Sequence, residues 1–238
     1  MAMGKKRADA LAAIDPENLY SPAEALDLVK SLASAGFDET IEAAFVLGID
    51  AKQADQTVRG TVSLPHGTGK DVKLVVFADG DNARAATEAG ADLVGGSDLV
   101  EKVESGAVPL DWDVTIAQPS LMSEVGKLGK ALGPRGLMPN PKAGTVTDEV
   151  GKAVAEFKAG RVEYRNDRYG NVHIPIGKAS FDAADLRMNL AAIVDELARQ
   201  KPAASKGRFI RKLSVSSTMG VGIKVDVNQL EDLLSLVR

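Results

Sequence analysis

The sequence predicts an α+β domain, an antiparallel sheet with helices, split by an inserted α/β Rossmann-like domain with a parallel sheet. Three observations carry that expectation. Residues 41–49 alternate strictly, with Ile41, Ala43, Phe45, Leu47 and Ile49 on one side, as in a strand open to water on one face. Residues 72–117 carry short unbroken apolar runs separated by helical stretches, as in parallel strands covered on both faces. After Ala159-Gly160 the alternating style returns. The simplest chain path is a host domain of residues 1–66 and 159–238 with residues 67–158 inserted, because insertion leaves the host's termini together. Gly67 and Gly69 at one crossing, and Ala159 and Gly160 at the other, are the expected hinges. Two thin crossings imply that the domains move relative to one another.

Taken in order, Ser21-Pro22-Ala23-Glu24 predicts a capped helix start, and Gly36 its end. The strand over 41–49 follows, with Arg59–Leu64 expected as its partner. The middle reads as strands at 72–77, 91–94 and 114–117, with helices near 82–89, 99–105 and 120–132. A turn-rich stretch, Gly133 to Lys142, precedes a helix at about 148–158. Val162–Arg165 and Val172–Ile176 are expected to form one hairpin around Asn166–Gly170, with Val172, Ile174 and Ile176 sharing a face. Asp182 is placed to cap an amphipathic helix marked by Leu186, Leu190, Ile193 and Leu197. Strands at 209–217 and 222–227 and a helix at about 229–237 complete the chain.

Composition removes several function classes. With no cysteine, disulfides and thiolate chemistry are excluded, which fits a reducing compartment. The only histidines, His66 and His173, lie far apart, against a zinc site. Met1 to Asp9 is basic but lacks a following apolar stretch, so no signal peptide is expected. No apolar run approaches the roughly 18 residues a membrane helix needs. A cytoplasmic protein with no membrane partner, no cofactor and no metal is expected.

The net charge of −4 is unevenly spread. Lys plus Arg against Asp plus Glu runs 6 to 10 in residues 1–66, 10 to 14 in 67–158, and 13 to 9 in 159–238. Electrostatic binding follows the local distribution, not the total. Between Glu196 and Asp226 there is no acid, while Arg199, Lys201, Lys206, Arg208, Arg211, Lys212 and Lys224 fall in or next to the gap. Strand alternation from Phe209 sets Leu213 and Val215 on one face and Lys212, Ser214, Ser216 and Thr218 on the other. Such a flat row of hydroxyls and an ammonium suits phosphates and 2′-hydroxyls, the groups that mark RNA. An ordinary solvated sheet face reads the same way by pattern alone. Thr218-Met219-Gly220 forms the turn beyond it, with Met219 able to pack on a sugar or base edge and the Thr218 hydroxyl expected against RNA.

A nucleotide- or metal-dependent enzyme is the contrasting reading. His66 to Asp71 ends like a phosphate loop, but Leu64 stands where the first glycine belongs and Asp71 replaces the magnesium-binding hydroxyl. Gly126, Gly129, Gly133 and Gly136 lack the dinucleotide-binding spacing. Asp79 and Asp81 follow the first middle strand, where open α/β sheets place their sites, yet Asp-Gly-Asp-Asn is also an ordinary turn.

Four segments resemble a known family in order along nearly the whole chain. They are Phe37-Asp38-Glu39-Thr40-Ile41-Glu42, Gly133-Pro134-Arg135-Gly136-Leu137-Met138-Pro139-Asn140-Pro141-Lys142, Tyr164-Arg165-Asn166-Asp167 and Ser217-Thr218-Met219-Gly220. Together they are similar to the ribosomal stalk proteins called L-one. The resemblance implies a split two-domain fold whose end-built domain binds the stalk of large-subunit rRNA, as a monomer within the ribosome. It also implies a stalk that helps release deacylated exit-site tRNA, and repression of the protein's own operon mRNA. The RNA contacts it implies fall on Phe37, Thr40, Glu42, Ser214, Ser216, Thr218, Met219 and Gly220, with basic support from Arg165, Arg168, Lys201, Lys206 and Arg208. The residue pattern had picked out the second half of that set but would put Phe37 in the core. The resemblance instead implies an exposed ring able to stack or pack on RNA. Glu42 repels phosphate, so the role it fits is accepting from a sugar hydroxyl or base amino group.

Overall fold

The structure, a computed structural model, describes residues 5–234. The chain divides into two compact units, Met1–Gly69 with Val162–Arg238, and Lys70–Arg161. Both cuts fall slightly later than the crossings read from the sequence.

In chain order, the first unit opens with α1 (Lys5–Ala12), α2 (Pro22–Ser31), β1 (Thr40–Leu47) and β2 (Arg59–Ser63). The second unit contains β3 (Leu74–Phe77), α3 (Gly80–Glu88), β4 (Leu93–Gly95), α4 (Ser97–Glu104), β5 (Val114–Ala117), α5 (Met122–Val125), α6 (Gly129–Leu132) and α7 (Val150–Lys158). The chain then runs through β6 (Arg161–Arg165), β7 (Asn171–Lys178), α8 (Ala183–Arg199), β8 (Ile210–Ser217), β9 (Ile223–Val225) and α9 (Leu230–Leu234).

The first unit is built on a four-stranded sheet of order β7-β1-β8-β9, antiparallel throughout. Its inner face, with Ile41, Phe45, Val172, Ile174, Ile176, Leu213, Val215 and Ile223, packs on Leu26 and Val29 of α2 and Leu186, Leu190 and Ile193 of α8. All are nearly fully buried. At about 25 cal/mol per Å² of apolar area removed from water, this face supplies the unit's main folding drive and fixes which side stays open. The capping box of α2 forms as expected, with the Ser21 hydroxyl accepting from Glu24 N–H and the Glu24 carboxylate accepting from Ser21 N–H.

The second unit is a parallel sheet of order β4-β3-β5. Val75 and Phe77 face one apolar cluster with Leu99, Val100, Val125 and Leu132, while Leu74 and Val76 face another with Val150, Val154 and Phe157. Burial on both faces is why β3 shows no polar alternation. The fold class is therefore an α+β unit from both chain ends and a Rossmann-like α/β unit between them.

Several local expectations are corrected. Arg59–Ser63 does not pair with β1; it pairs with β6 in a separate two-stranded sheet. Gly60 sits against Tyr164, where an added Cβ would come within 2.8 Å of the ring hydroxyl, so this close packing selects the partner. The expected hairpin survives only as its turn and the Asn166–Val172 bridge, because β6 then leaves for β2 and β7 for β1. Helix α2 stops at Ser31 rather than near Gly36, since Ala35 N–H is drawn to the Glu39 carboxylate at 2.8 Å instead of a helical carbonyl. Asp182 stands at the start of α8 without a side-chain capping bond. The helix read over 120–132 is two short helices joined by one tighter turn, Gly126–Leu128, with glycine, the poorest helix former there, at its start and just after it. Part of the helix read over 229–237 lies outside the described residues.

Candidate nucleic-acid interface

The face of the four-stranded sheet turned away from α2 and α8 is a grid of mostly polar side chains. On β1, Thr40, Glu42, Ala44 and Val46 point outward, in antiphase to the buried Ile41, Ala43, Phe45 and Leu47. On β8, Lys212, Ser214 and Ser216 do the same. Register joins them in pairs: Glu42 opposite Ser216, Ala44 opposite Ser214, and Val46 opposite Lys212. Five expected residues, Thr40, Glu42, Lys212, Ser214 and Ser216, thus meet on one surface although β1 and β8 are distant in sequence.

The other neighbours bring residues that sequence reasoning missed, and one, Lys224, that it placed only in the acid-free gap. Strand β7 sets Lys178 opposite Thr40, Pro175 opposite Glu42, His173 opposite Ala44 and Asn171 opposite Val46. Lys178 Nζ donates to Thr40 Oγ1 at 2.9 Å. Strand β9 adds Lys224 opposite Ser214. His173 was legible as a polar-side residue, being in antiphase to Val172 and Ile174, but nothing local says that β7 flanks β1.

The Thr40 end of the face carries the most constrained geometry. Glu39 is only 1% exposed, in phase with the core residues of β1. Its carboxylate accepts from Ala35 N–H at 2.8 Å and from Met219 N–H at 2.9 Å. Burial opposes its ionisation, but the N–H groups of Met219 and Ala35 outweigh that and hold its pKa below the usual value. Asp38 accepts from the Ser180 N–H and hydroxyl, at 3.1 and 2.7 Å. The loop bearing Phe37 is therefore fixed on both sides, and Phe37 stands 56% exposed. That corrects the core placement its residue type alone suggested. Met219, 68% exposed, occupies the turn held by the same carboxylate. Gly220 has no room for a side chain, since a Cβ there would reach 2.4 Å from Ser217 Oγ.

Thr218 does more than sequence alternation suggested. Its Oγ1 accepts from Thr40 N–H at 3.0 Å and donates to Thr40 C=O at 3.2 Å, closing the β1–β8 ladder where β8 ends. Its donor is committed within the protein, leaving one acceptor lone pair outward.

The other expected basic residues lie off this face. Lys201, Lys206 and Arg208 are exposed in the loop before β8, which is tied to the far end of β1. Gly48 N–H donates to Phe209 C=O and Ser205 Oγ donates to Gly48 C=O. Within that loop Lys201 Nζ donates to Gly207 C=O and Arg208 donates to Asn228 Oδ1. Arg165 ends β6 and Arg168 lies within the β6–β7 turn, also at that end. So the acid-free segment is not one patch: its cations gather at one end of the sheet and its hydroxyls run toward the other.

At the crossings, Gly67, Gly69 and Gly160 have φ of 68°, 69° and 108°, and Ala159 closes α7. Asn189 of α8 pins the first crossing, accepting from His66 N–H and donating to Gly67 C=O. In the second unit, Asp79 sits at the start of α3 and Asp81 is fully exposed, 3.8 Å from Arg84. No group of three or more metal-ligating side chains occurs among the described residues. No helix among them is long and apolar enough to cross a membrane.

A solvent-open polar sheet face on a unit made from both chain ends is the architecture of a binding protein, with an independent α/β unit set into it. The chain belongs to the Ribosomal protein L1p/L10e family, which it matches over residues 29–221. It is 57% identical over 213 residues to the large ribosomal subunit protein uL1 of Cutibacterium acnes, covering 90% of this chain and 91% of that protein. It is 53% identical over 234 residues to the uL1 protein of Streptomyces avermitilis, covering 97% of this chain and 96% of that one. With that membership, the reading of Asp79 and Asp81 as an enzymatic centre falls away.

Proposed function

We propose that the chain is a non-enzymatic rRNA-binding protein of the large ribosomal subunit that holds the rRNA stalk on the open face of its four-stranded sheet. The observation that carries this reading is the joining of Thr40, Glu42, Ser214 and Ser216 on one flat face, closed at its end by the exposed Phe37 and Met219. Hydroxyls and one carboxylate on such a face read sugar hydroxyls and base edges, while Lys212, Lys224 and the cations of the 200–209 loop neutralise phosphate. Through the same surface the protein represses its own operon mRNA, and as part of the stalk it assists release of deacylated tRNA from the exit site. The hinges at residues 67–69 and 159–160 let the two units move during that cycle.

The test is a binding titration of the full chain against a transcript of the stalk rRNA, with its own operon leader RNA as competitor. Affinity should fall steeply with salt, Ser216→Val should weaken both RNAs several-fold, and each should displace the other. Binding of neither RNA above a scrambled transcript would overturn the reading.

A further inference from the structure

Three tyrosines occur in the chain, and two have evident structural work. Tyr164 is buried in the core of the first unit, and the Tyr20 hydroxyl accepts Asp15 N–H while its ring packs on the same core. Tyr169 does neither: it stands 71% exposed at the tip of the β6–β7 turn. The guanidinium of Arg168 lies over its ring, 5.1 Å from the centroid. An exposed aromatic on a loose loop would mean little, but this turn is tightly held. Asp167 Oδ1 accepts from both Tyr169 N–H and Asn171 N–H at 2.8 Å, and Oδ2 accepts from Asn171 Nδ2 at 3.0 Å. The Asn171 N–H above all holds the Asp167 carboxyl below its usual range, with a smaller contribution from His173. Asn166 exchanges bonds with Val58, and Gly170, at a φ of 81°, accepts from Leu47 N–H. The turn is thereby fixed to two separate segments of the first unit, at Val58 and at Leu47.

Its position gives the ring a context. Asn171, next in the chain after Gly170, lies opposite Val46, which lies opposite Lys212. The turn is thus at the cationic end of the open face, and the exposed Phe37 at the other. Thr40 and Val46 are six steps apart along β1, about 20 Å at the usual strand rise. We infer that Tyr169, backed by Arg168, is a second RNA contact that stacks one unpaired base at the cationic end of the sheet. One face of the ring is covered by the guanidinium and the other is available. Stacking on a ring already ordered by its turn costs little conformational entropy, and the adjacent cation adds attraction for the neighbouring phosphate. The carboxylate of the same turn, Asp167, is consumed by two backbone donors and the Asn171 amide and does not face the incoming strand unscreened.

This inference rests on the proposed rRNA-binding reading, and the experiment separates the two. The full-length chain is titrated against the stalk rRNA transcript, and base protection is mapped by chemical probing. Tyr169→Leu should bind about tenfold more weakly and lose protection at one unpaired base, while Tyr169→Phe keeps both. Arg168→Gln should reduce the salt dependence by about one ion. If the parent protein binds and Tyr169→Leu matches it in affinity and footprint, the stacking contact is wrong and the rRNA reading stands. If the parent protein does not bind the transcript, both fall together. Equal losses in the Leu and Phe variants would also overturn stacking, because the ring would then not be what RNA contacts.

Discussion

The carboxylate of Glu39 accepts the backbone N–H of Met219 at 2.9 Å, joining positions 180 residues apart in the sequence. Its second oxygen holds Ala35 N–H, so one buried charge ties the loop of Phe37 to the turn of Met219. Glu39→Gln leaves an amide that can accept only one of the two donors, which should destabilise the protein by about 1–3 kcal/mol. The pH dependence has a definite sign. The folded protein holds this group below its ordinary value of 4.5, so its contribution is complete above that value and is lost as pH falls through the folded value. Urea titrations at neutral pH and between about pH 3 and 5 check both points. Parent and Glu39→Gln should converge in the acid, and a constant difference across pH would contradict the assignment.

Thr218 separates a structural from a recognition role. Both of its hydrogen bonds go to the Thr40 backbone, so Thr218→Val should cost about 1 kcal/mol of folding stability before any RNA is added. Thr218→Ser keeps the hydroxyl and should recover that loss. Thermal melts of the two variants decide the matter: equal melting points for Val and parent would mean that the ladder closes without the hydroxyl.

Sequence alternation was a sound guide to faces and a poor one to neighbours. The inward set of β1, β7 and β8 was readable because period two is a local property of each strand. Pairing is not local: proximity in sequence points Arg59–Ser63 to β1, whereas the Gly60–Tyr164 fit goes with its pairing to β6. His173 and Lys178 were missed for the same reason: they belong to the face only because β7 lies beside β1. Glu39 had a signal that went unused, an acid in phase with Ile41, Ala43 and Phe45. A carboxylate on the core side of a strand must be met by donors, and here those donors build the end of the candidate site. Charge misled by clustering: contiguous cations in residues 199–212 became two environments once the loop and the strand took different paths.

Asn189 is fully buried and satisfies three backbone groups, His66 N–H at 3.0 Å and the carbonyls of Gly67 and Ile176 at 2.9 Å each. Asn189→Ala should cost about 2 kcal/mol, more than a lost contact, because the buried Ile176 carbonyl and two part-buried backbone groups all lose their partner. Asn189→Asp should be worse, since a carboxylate would face two carbonyl oxygens. Hydrogen exchange at the His66 amide should speed up in either variant. A loss below about 1 kcal/mol, with unchanged exchange, would show that water replaces the side chain and that the crossing is not pinned by it.

Phe37 and Met219 allow recognition to be tested apart from folding. Both are exposed, while the loop and turn bearing them are held by Glu39 and Asp38 rather than by their own side chains. Phe37→Ala and Met219→Ala should therefore change folding stability by no more than about 0.5 kcal/mol, the usual range for surface positions. By contrast, Phe45→Ala, on the buried side of the same strand region, should cost about 3–5 kcal/mol. The two surface variants should nevertheless weaken stalk rRNA binding by several-fold each, and their double variant by less than the product, because both side chains act at one end of one face. Denaturation and RNA titration on the same samples read both quantities. A stability loss near 3 kcal/mol in Phe37→Ala would return that ring to the core. Parental affinity in the double variant would remove the Thr40 end of the sheet from the interface and leave recognition to Ser214, Ser216 and the cations at the far end.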